Sequence, residues 1–268
     1  MASDRAAALA ARFAAIDERL KALEHSPEFV CQRQRAILQR IERLAAALGA
    51  GAPTPAAPAA AAAAPAPPAH PKGPGVSVTP GASPTQQRLE QELIDKGNVS
   101  WARFVRVPAD YYDQPLEFRR ECLSAPSVDH LCKSIVMENT RAHESVKDWS
   151  DPYHSKYYCV IVQYTARLNA DKLKMALMEL GGRRFARQFY NMRLCAEEVN
   201  DRLTGYSHNA VSPLGMAESL PIVLSHRIAQ LQPAEFWMGA GEVDLKVGMD
   251  VQEFIDAYKP FVLDCTYD

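Results

Sequence analysis

The stretch Thr204–Gly215 reads Thr-Gly-Tyr-Ser-His-Asn-Ala-Val-Ser-Pro-Leu-Gly. It packs two Gly, one Pro, two Ser, one Asn and one His into a dozen positions. It follows a helical run and precedes an apolar one, Leu220 to Leu224. Gly and Pro fix the path of such a segment and leave few side chains in the way, so its backbone amides face outward. Taken alone, it also reads as a surface turn between a helix and a strand.

The totals bound the rest. The chain has 268 residues, enough for one or two domains with a sizeable core. Hydrophobic residues make up 47%, but much of that is Ala near the N-terminus, so the figure overstates the core. The formal net charge is −2. There is no global basic field, and any nucleic-acid contact must use a local patch. The six cysteines (Cys31, Cys122, Cys132, Cys159, Cys195, Cys265) form no C-x-x-C, and none lies at zinc-ligand spacing from a His. They read as reduced, mostly buried thiols of a cytoplasmic protein. No stretch is long and apolar enough to span a bilayer.

Residues 3–24 carry Leu9, Phe13, Ile16, Leu20 and Leu23 at alternating spacings of four and three, which predicts a helix with one narrow apolar seam. Ser26-Pro27 opens a second helix with Val30, Ile37, Ile41, Leu44 and Leu48, closed by Gly49. Residues 1–49 therefore read as a helical hairpin or coiled-coil arm, suited to self-association or to a partner's helices. Residues 50–82 are almost entirely Ala, Pro and Gly, and read as a disordered spacer.

From 83 to 268 the pattern is mixed α and β. Ser83-Pro84-Thr85-Gln86 is a capping box, with Gly97 at the helix end. Helices are also predicted at Pro115–Leu123, from the Asn169 cap to Leu180, up to Gly205 through Val199 and Leu203, and from the Asp250-x-x-Glu253 box to Tyr258. Strands are predicted at Leu131–Met137, Tyr157–Tyr164, Arg184–Phe189, Pro221–Leu224, Phe236–Met238, Val243–Val247 and Phe261–Cys265. The irregular interleaving and short strand spacing predict an α+β domain with a curved, mixed sheet rather than a doubly wound one. There is no P-loop and no G-x-G-x-x-G; Gly239-Ala240-Gly241 is only a fragment of the latter and precedes a strand.

Two features carry chemistry. Lys133 sits inside the apolar strand His-Leu-Cys-Lys-Ser-Ile-Val-Met. A Lys there either reaches an edge or faces a pocket where its charge has a partner. The second feature is the opening loop. In this order the two resemble the YbaK/ProX family of aminoacyl-tRNA deacylases, which includes the editing domain inserted in bacterial prolyl-tRNA synthetases. The resemblance rests on Lys133-Ser134, the strand-then-helix Tyr157–Leu180, Glu197-Glu198-Val199 through Thr204-Gly205-Tyr206, Val211-Ser212-Pro213-Leu214-Gly215, Leu220-Pro221, and the Gly239-Ala240-Gly241 turn. It spans about Asn98 to Asp268.

The resemblance implies a barrel-like curved sheet with surrounding helices. It implies a pocket for the 3′ end of a mischarged tRNA and hydrolysis of the aminoacyl ester without metal or cofactor. By position, Lys133 is the catalytic candidate. Ser134, Gly205, His208, Asn209, Ala210, Ser212, Pro213, Gly215, Gly239 and Gly241 are the substrate-binding candidates. The implied partners are tRNA and, through residues 1–49, an aminoacyl-tRNA synthetase or multi-synthetase assembly. The expected substrate is a prolyl-tRNA acceptor carrying a small amino acid. Where the family has Gly-Gly before the Val-Ser-Pro, this chain has Asn209-Ala210, and Ser225-His226 follows the Leu-Pro strand. Asn tolerates positive φ, whereas Ala210 adds a Cβ. The Asn209-Ala210 change and the tethered helical arm motivate an alternative reading as a non-catalytic tRNA-binding or scaffold subunit. Arg183, Arg184 and Arg187 form a local basic stretch suited to tRNA phosphates. His208 and His226 read as surface imidazoles with ordinary hydrogen bonds, with general-base roles the lesser alternative.

Overall fold

A computed structural model describes residues 75–267. The expected helical arm and the spacer up to residue 74 lie outside the described residues. The last residues read as spacer, 75–82, run along the first described helix, α1 (Pro84–Lys96). The N–H and hydroxyl of Thr79 donate to the buried Glu90 carboxylate at 2.7 and 2.8 Å. Ser83 caps α1 by accepting from the Gln86 amide at 3.2 Å, and Gly97 ends it at φ +74°.

Among the described residues there are five α-helices and two sheets. The first sheet holds β1 (Ala102–Arg106), β7 (Leu245–Asp250) and β6 (Glu235–Gly239), antiparallel, in the order β1-β7-β6. The second holds β2 (Cys132–Asn139), β3 (Tyr157–Gln163), β4 (Met192–Leu194), β5 (Ile222–Ser225) and β8 (Phe261–Leu263), in the order β4-β2-β3-β5-β8. β2 runs antiparallel to both neighbours, while β5 is parallel to β3 and to β8. The remaining helices are α2 (Leu116–Leu123), α3 (Ala170–Leu180), α4 (Glu197–Thr204) and α5 (Val251–Tyr258).

β3 is the spine of the larger sheet, and all seven of its residues are buried. Its alternation splits them between two cores. Tyr158, Val160 and Val162 pack with Leu173 and Leu177 of α3. Tyr157, Cys159 and Ile161 join the main core with Leu89 of α1, Phe236 of β6 and Phe254 of α5. A strand covered on both faces needs the β-branched and aromatic run seen in its sequence. Caps fix the helices around it: Asn169 accepts from the Asp171 and Lys172 amides, both at 3.0 Å, and Asp250 accepts from Glu253 at 2.9 Å.

Three expectations need correction. The sheets do not form a closed barrel: among the described residues β4 and β8 remain edges of the larger sheet, and the two sheets touch in pairing only at the Leu131–Trp237 bridge. Arg184–Phe189 is not a strand. Its end is a 3-10 turn, Arg187–Phe189, whose Phe189 carbonyl accepts from the Asn139 side chain at 2.9 Å, and pairing begins only at Met192. Ala102–Arg106 forms a strand that the sequence did not advertise; Arg103 and Arg106 point to solvent from an edge position, which obscures the apolar alternation.

Ile161 is fully buried at the centre of this arrangement. Truncation to Ala is expected to cost about 2–5 kcal/mol of stability, read from urea denaturation; a cost below 1 kcal/mol would contradict the packing described.

Candidate active site

Lys133 and Ser134 are consecutive in β2, so their side chains leave opposite faces of the strand. They line a cavity of about 420 Å³ together with Ile135 and Val136 of the same strand. The end of β4 contributes Leu194 and Cys195, the start of α4 contributes Glu197, and the loop after α4 contributes His208, Asn209 and Val211. Gly239 of β6, Cys132 of β2, Asn200 of α4, Tyr112 and Tyr164 complete the wall.

The loop that contributes His208 to Val211 is a turn exposed at Ser207, His208 and Asn209 and anchored by buried residues on either side. Tyr206, Ala210, Ser212 and Leu214 are all buried. The Tyr206 hydroxyl lies 2.7 Å from the Leu214 carbonyl, and Arg88 of α1 donates to the Gly215 carbonyl at 2.8 Å. Asn200 donates to the Tyr206 carbonyl at 3.2 Å, and Leu214 donates to the Ser212 hydroxyl at 3.2 Å. Asn209 takes φ +63°, the left-handed conformation that the turn requires. Its carbonyl accepts from the Tyr112 hydroxyl at 2.8 Å. The next carbonyl, Ala210, accepts from the Gly241 amide at 3.0 Å. A Cβ on Gly239 would stand 2.7 Å from the Val211 carbonyl oxygen, so the loop passes over β6 only because residue 239 has no side chain.

The cavity therefore gathers Lys133, Ser134, His208, Asn209 and Gly239 of the sequence candidates. It does not gather the others. Gly205 caps α4, Ala210 and Ser212 turn inward, Pro213 and Gly215 belong to the anchored half of the loop, and Gly241 sits against Tyr206. Those residues hold the loop's shape rather than its face. Arg183, Arg184 and Arg187 are exposed and do not line this cavity; Arg183 is paired with Glu179. His226 lies beside Asp264, also outside it.

Sequence reading missed the aromatic and cationic wall. Lys133 Nζ stands 5.7 Å from the Tyr164 ring centroid. Arg119 lies over Tyr111, Tyr112 and Tyr164 at 5.5–5.6 Å. Behind them Lys246 of β7 is buried, 4.8 Å from the Tyr112 ring, and donates to the Val243 carbonyl at 2.6 Å. Burial raises the phenols of Tyr111, Tyr112 and Tyr164 above their ordinary range, so they stay neutral hydrogen-bond donors beside these cations. The Tyr111-Tyr112 pair, with Arg119 seven residues after Tyr112, was the available signal. The two thiols on the cavity are poor nucleophiles: burial pushes Cys132 well up and Cys195 to about 11. No group of three or more metal-ligating side chains occurs among the described residues.

With this geometry in place, the comparison with known families is specific. Residues 125–257 match the model of the aminoacyl-tRNA editing domain. That segment belongs to the editing-domain family. The match takes in Lys133 and the whole Thr204–Gly215 loop, and it begins after Tyr112 and Arg119, which the editing domain here receives from the preceding segment. Two solved structures share the fold. One, described as a proposed trans-editing enzyme for prolyl-tRNA synthetase, has a TM-score of 0.53 and 20% identity over 70% of this chain and 100% of that one. The other, from work on scaffold proteins that present grafted linear epitopes, has a TM-score of 0.52 and 18% identity over 70% of this chain and 99% of that one. No curated protein matches the chain in sequence.

Burial pushes Lys246 down to about 8 from its ordinary 10.5. Below pH 8 both folded and unfolded chains carry the proton, and the folded state bears the full cost of the buried ammonium. Between pH 8 and 10.5 the unfolded chain binds more protons, so stability rises with pH. The stability advantage of Lys246→Met over wild type should therefore shrink by up to about 3 kcal/mol between pH 7 and pH 10.5. Urea titrations at both pH values measure it, and a pH-independent gap would exclude a buried ammonium. Gly239→Ala should displace the loop from β6 and speed amide exchange at Ala210 and Gly241; unchanged exchange there would show that the close pass is not needed.

Proposed function

We propose that the protein hydrolyses, in trans, the ester bond of mischarged aminoacyl-tRNA, with a prolyl-tRNA acceptor carrying a small amino acid as its substrate. The observation that carries this reading is Lys133. Its ammonium is half-buried on the wall of the cavity, and no carboxylate pairs with it among the described residues. A fixed cation of that kind suits the terminal phosphate of the 3′ nucleotide or the ester carbonyl oxygen. Water adds to the acyl carbon, the bond to the ribose oxygen breaks, and that oxygen takes the proton. The ester is already activated, so orientation supplies most of what the site must add. The loop at His208–Val211 frames the ester, and the tyrosine wall limits the acyl side chain. The prolyl assignment leans on the family resemblance and on the structural relative described as acting for prolyl-tRNA synthetase. Exposed Arg184 and Arg187 suit tRNA phosphates away from the acceptor end, and residues 1–49 suit attachment to a synthetase in the cytoplasm.

The alternative, a tRNA-binding or scaffold subunit without catalysis, draws on Asn209-Ala210 and on the tethered arm of residues 1–49. Asn209 keeps the left-handed turn, and Ala210 is buried and off the cavity wall, which supports the catalytic reading.

A panel of mischarged tRNAs decides between the two. Wild type is expected to deacylate at least one, and Lys133→Ala to lose about a hundredfold or more while keeping its circular dichroism. Binding without hydrolysis across the panel would favour the scaffold, and full activity in Lys133→Ala would remove the assigned role.

A further inference from the structure

β2 is paired along one edge by β3 from end to end, but its other edge is paired in two separate places. At its start, Leu131 bridges Trp237 of β6. At its end, Met137, Glu138 and Asn139 pair with β4, and the Cys195 amide donates to the Val136 carbonyl at 2.9 Å. No strand pairs with this edge at Ser134 among the described residues. The register also fixes which groups face the gap. The Val136 carbonyl points toward β4, and backbone direction repeats every second residue, so the N–H and C=O of Ser134 point the same way. The cavity lies at this interruption: its wall includes Ser134, the end of β4 at Leu194 and Cys195, and Gly239 at the end of β6. The Ser134 hydroxyl is also buried without a hydrogen-bond partner, on a residue only 8% exposed. A buried polar group of this kind costs stability unless something satisfies it.

We propose that this gap receives the α-amino acid group of the substrate, as a single residue added to the edge of β2. In an antiparallel hydrogen-bonded pair, two residues exchange both bonds, each N–H donating to the other's C=O. An aminoacyl ester carries the same two groups: an α-amino donor and an ester carbonyl acceptor, on either side of one Cα. Its amine donates to the Ser134 carbonyl, and its ester carbonyl accepts from the Ser134 amide. Strand addition by main-chain bonds is indifferent to the side chain, which is left to the tyrosine wall. The site thereby recognises an acyl group as an amino acid before it discriminates which one. This rests on the deacylase reading and specifies how that site identifies the acyl group.

The experiment compares the aminoacyl-tRNA hydrolysed fastest in the panel with the same tRNA carrying the deaminated acyl group, which keeps the side chain and carbonyl and lacks the amine. Each rate is divided by the ester's uncatalysed hydrolysis rate, because the α-ammonium itself activates the bond. The normalised kcat/KM is expected to fall about ten- to a hundredfold on deamination. Equal normalised values would overturn the strand-edge assignment while leaving deacylation intact, whereas no hydrolysis of any panel ester would overturn both. A second readout localises the contact. An amide-linked, non-hydrolysable aminoacyl-adenosine should slow hydrogen exchange at the Ser134 amide, and unchanged exchange at saturating analogue would place the amino acid elsewhere.

Discussion

The fastening of one loop to one glycine turn governs this site. The Gly241 amide holds the Ala210 carbonyl, the Tyr112 hydroxyl holds that of Asn209, and the bare backbone of Gly239 lets Val211 pass. Three contacts from two parts of the chain, the Gly239–Gly241 turn and Tyr112, thus set where His208, Asn209 and Val211 stand relative to β2. Without them the loop would have no fixed height above the strand, and the cavity between the two would have no defined width. The bonds of Tyr206 and Arg88 to the carbonyls of Leu214 and Gly215 supply the rigidity at the far end of the loop.

Much of this was legible in sequence because local rules were strong. β3 announced itself by a run too apolar and β-branched for anything but a strand covered on both faces, and the capping residues Ser83, Asn169 and Asp250 marked their helices. Lys133 and the loop were visible as anomalies: a charge in an apolar strand, and a cluster of turn residues. What was not legible depends on non-local pairing. β1 is an edge strand with outward arginines, so its alternation is weak. The stretch before Met192 looks apolar enough to pair, yet its backbone bonds the Asn139 side chain instead. Within the loop, Gly205, Ser212, Pro213 and Gly215 share the composition of a binding loop, and only tertiary contacts separate residues that shape it from residues that face the cavity.

The tyrosine wall is the clearest instance of that limit. Tyr111, Tyr112 and Arg119 stand ahead of the segment that defines the family, and Lys246 comes from the smaller sheet. Their proximity to Lys133 follows from how the two sheets meet; the Tyr111-Tyr112 and Arg119 spacing signals only their closeness to one another. The result is a row of neutral phenols interleaved with three cations, an environment suited to holding negative charge without a bound ion.

Asn209 joins two demands that could have been met by different residues. The turn needs a left-handed backbone, which glycine would provide while leaving the rim bare. Asparagine provides the same backbone and also brings an amide, one acceptor and two donors, on an exposed residue that lines the cavity. Few other side chains accept that conformation. The polarity of the rim is therefore drawn from a very short alphabet, and a single replacement within it rewrites what the rim can greet without moving the main chain.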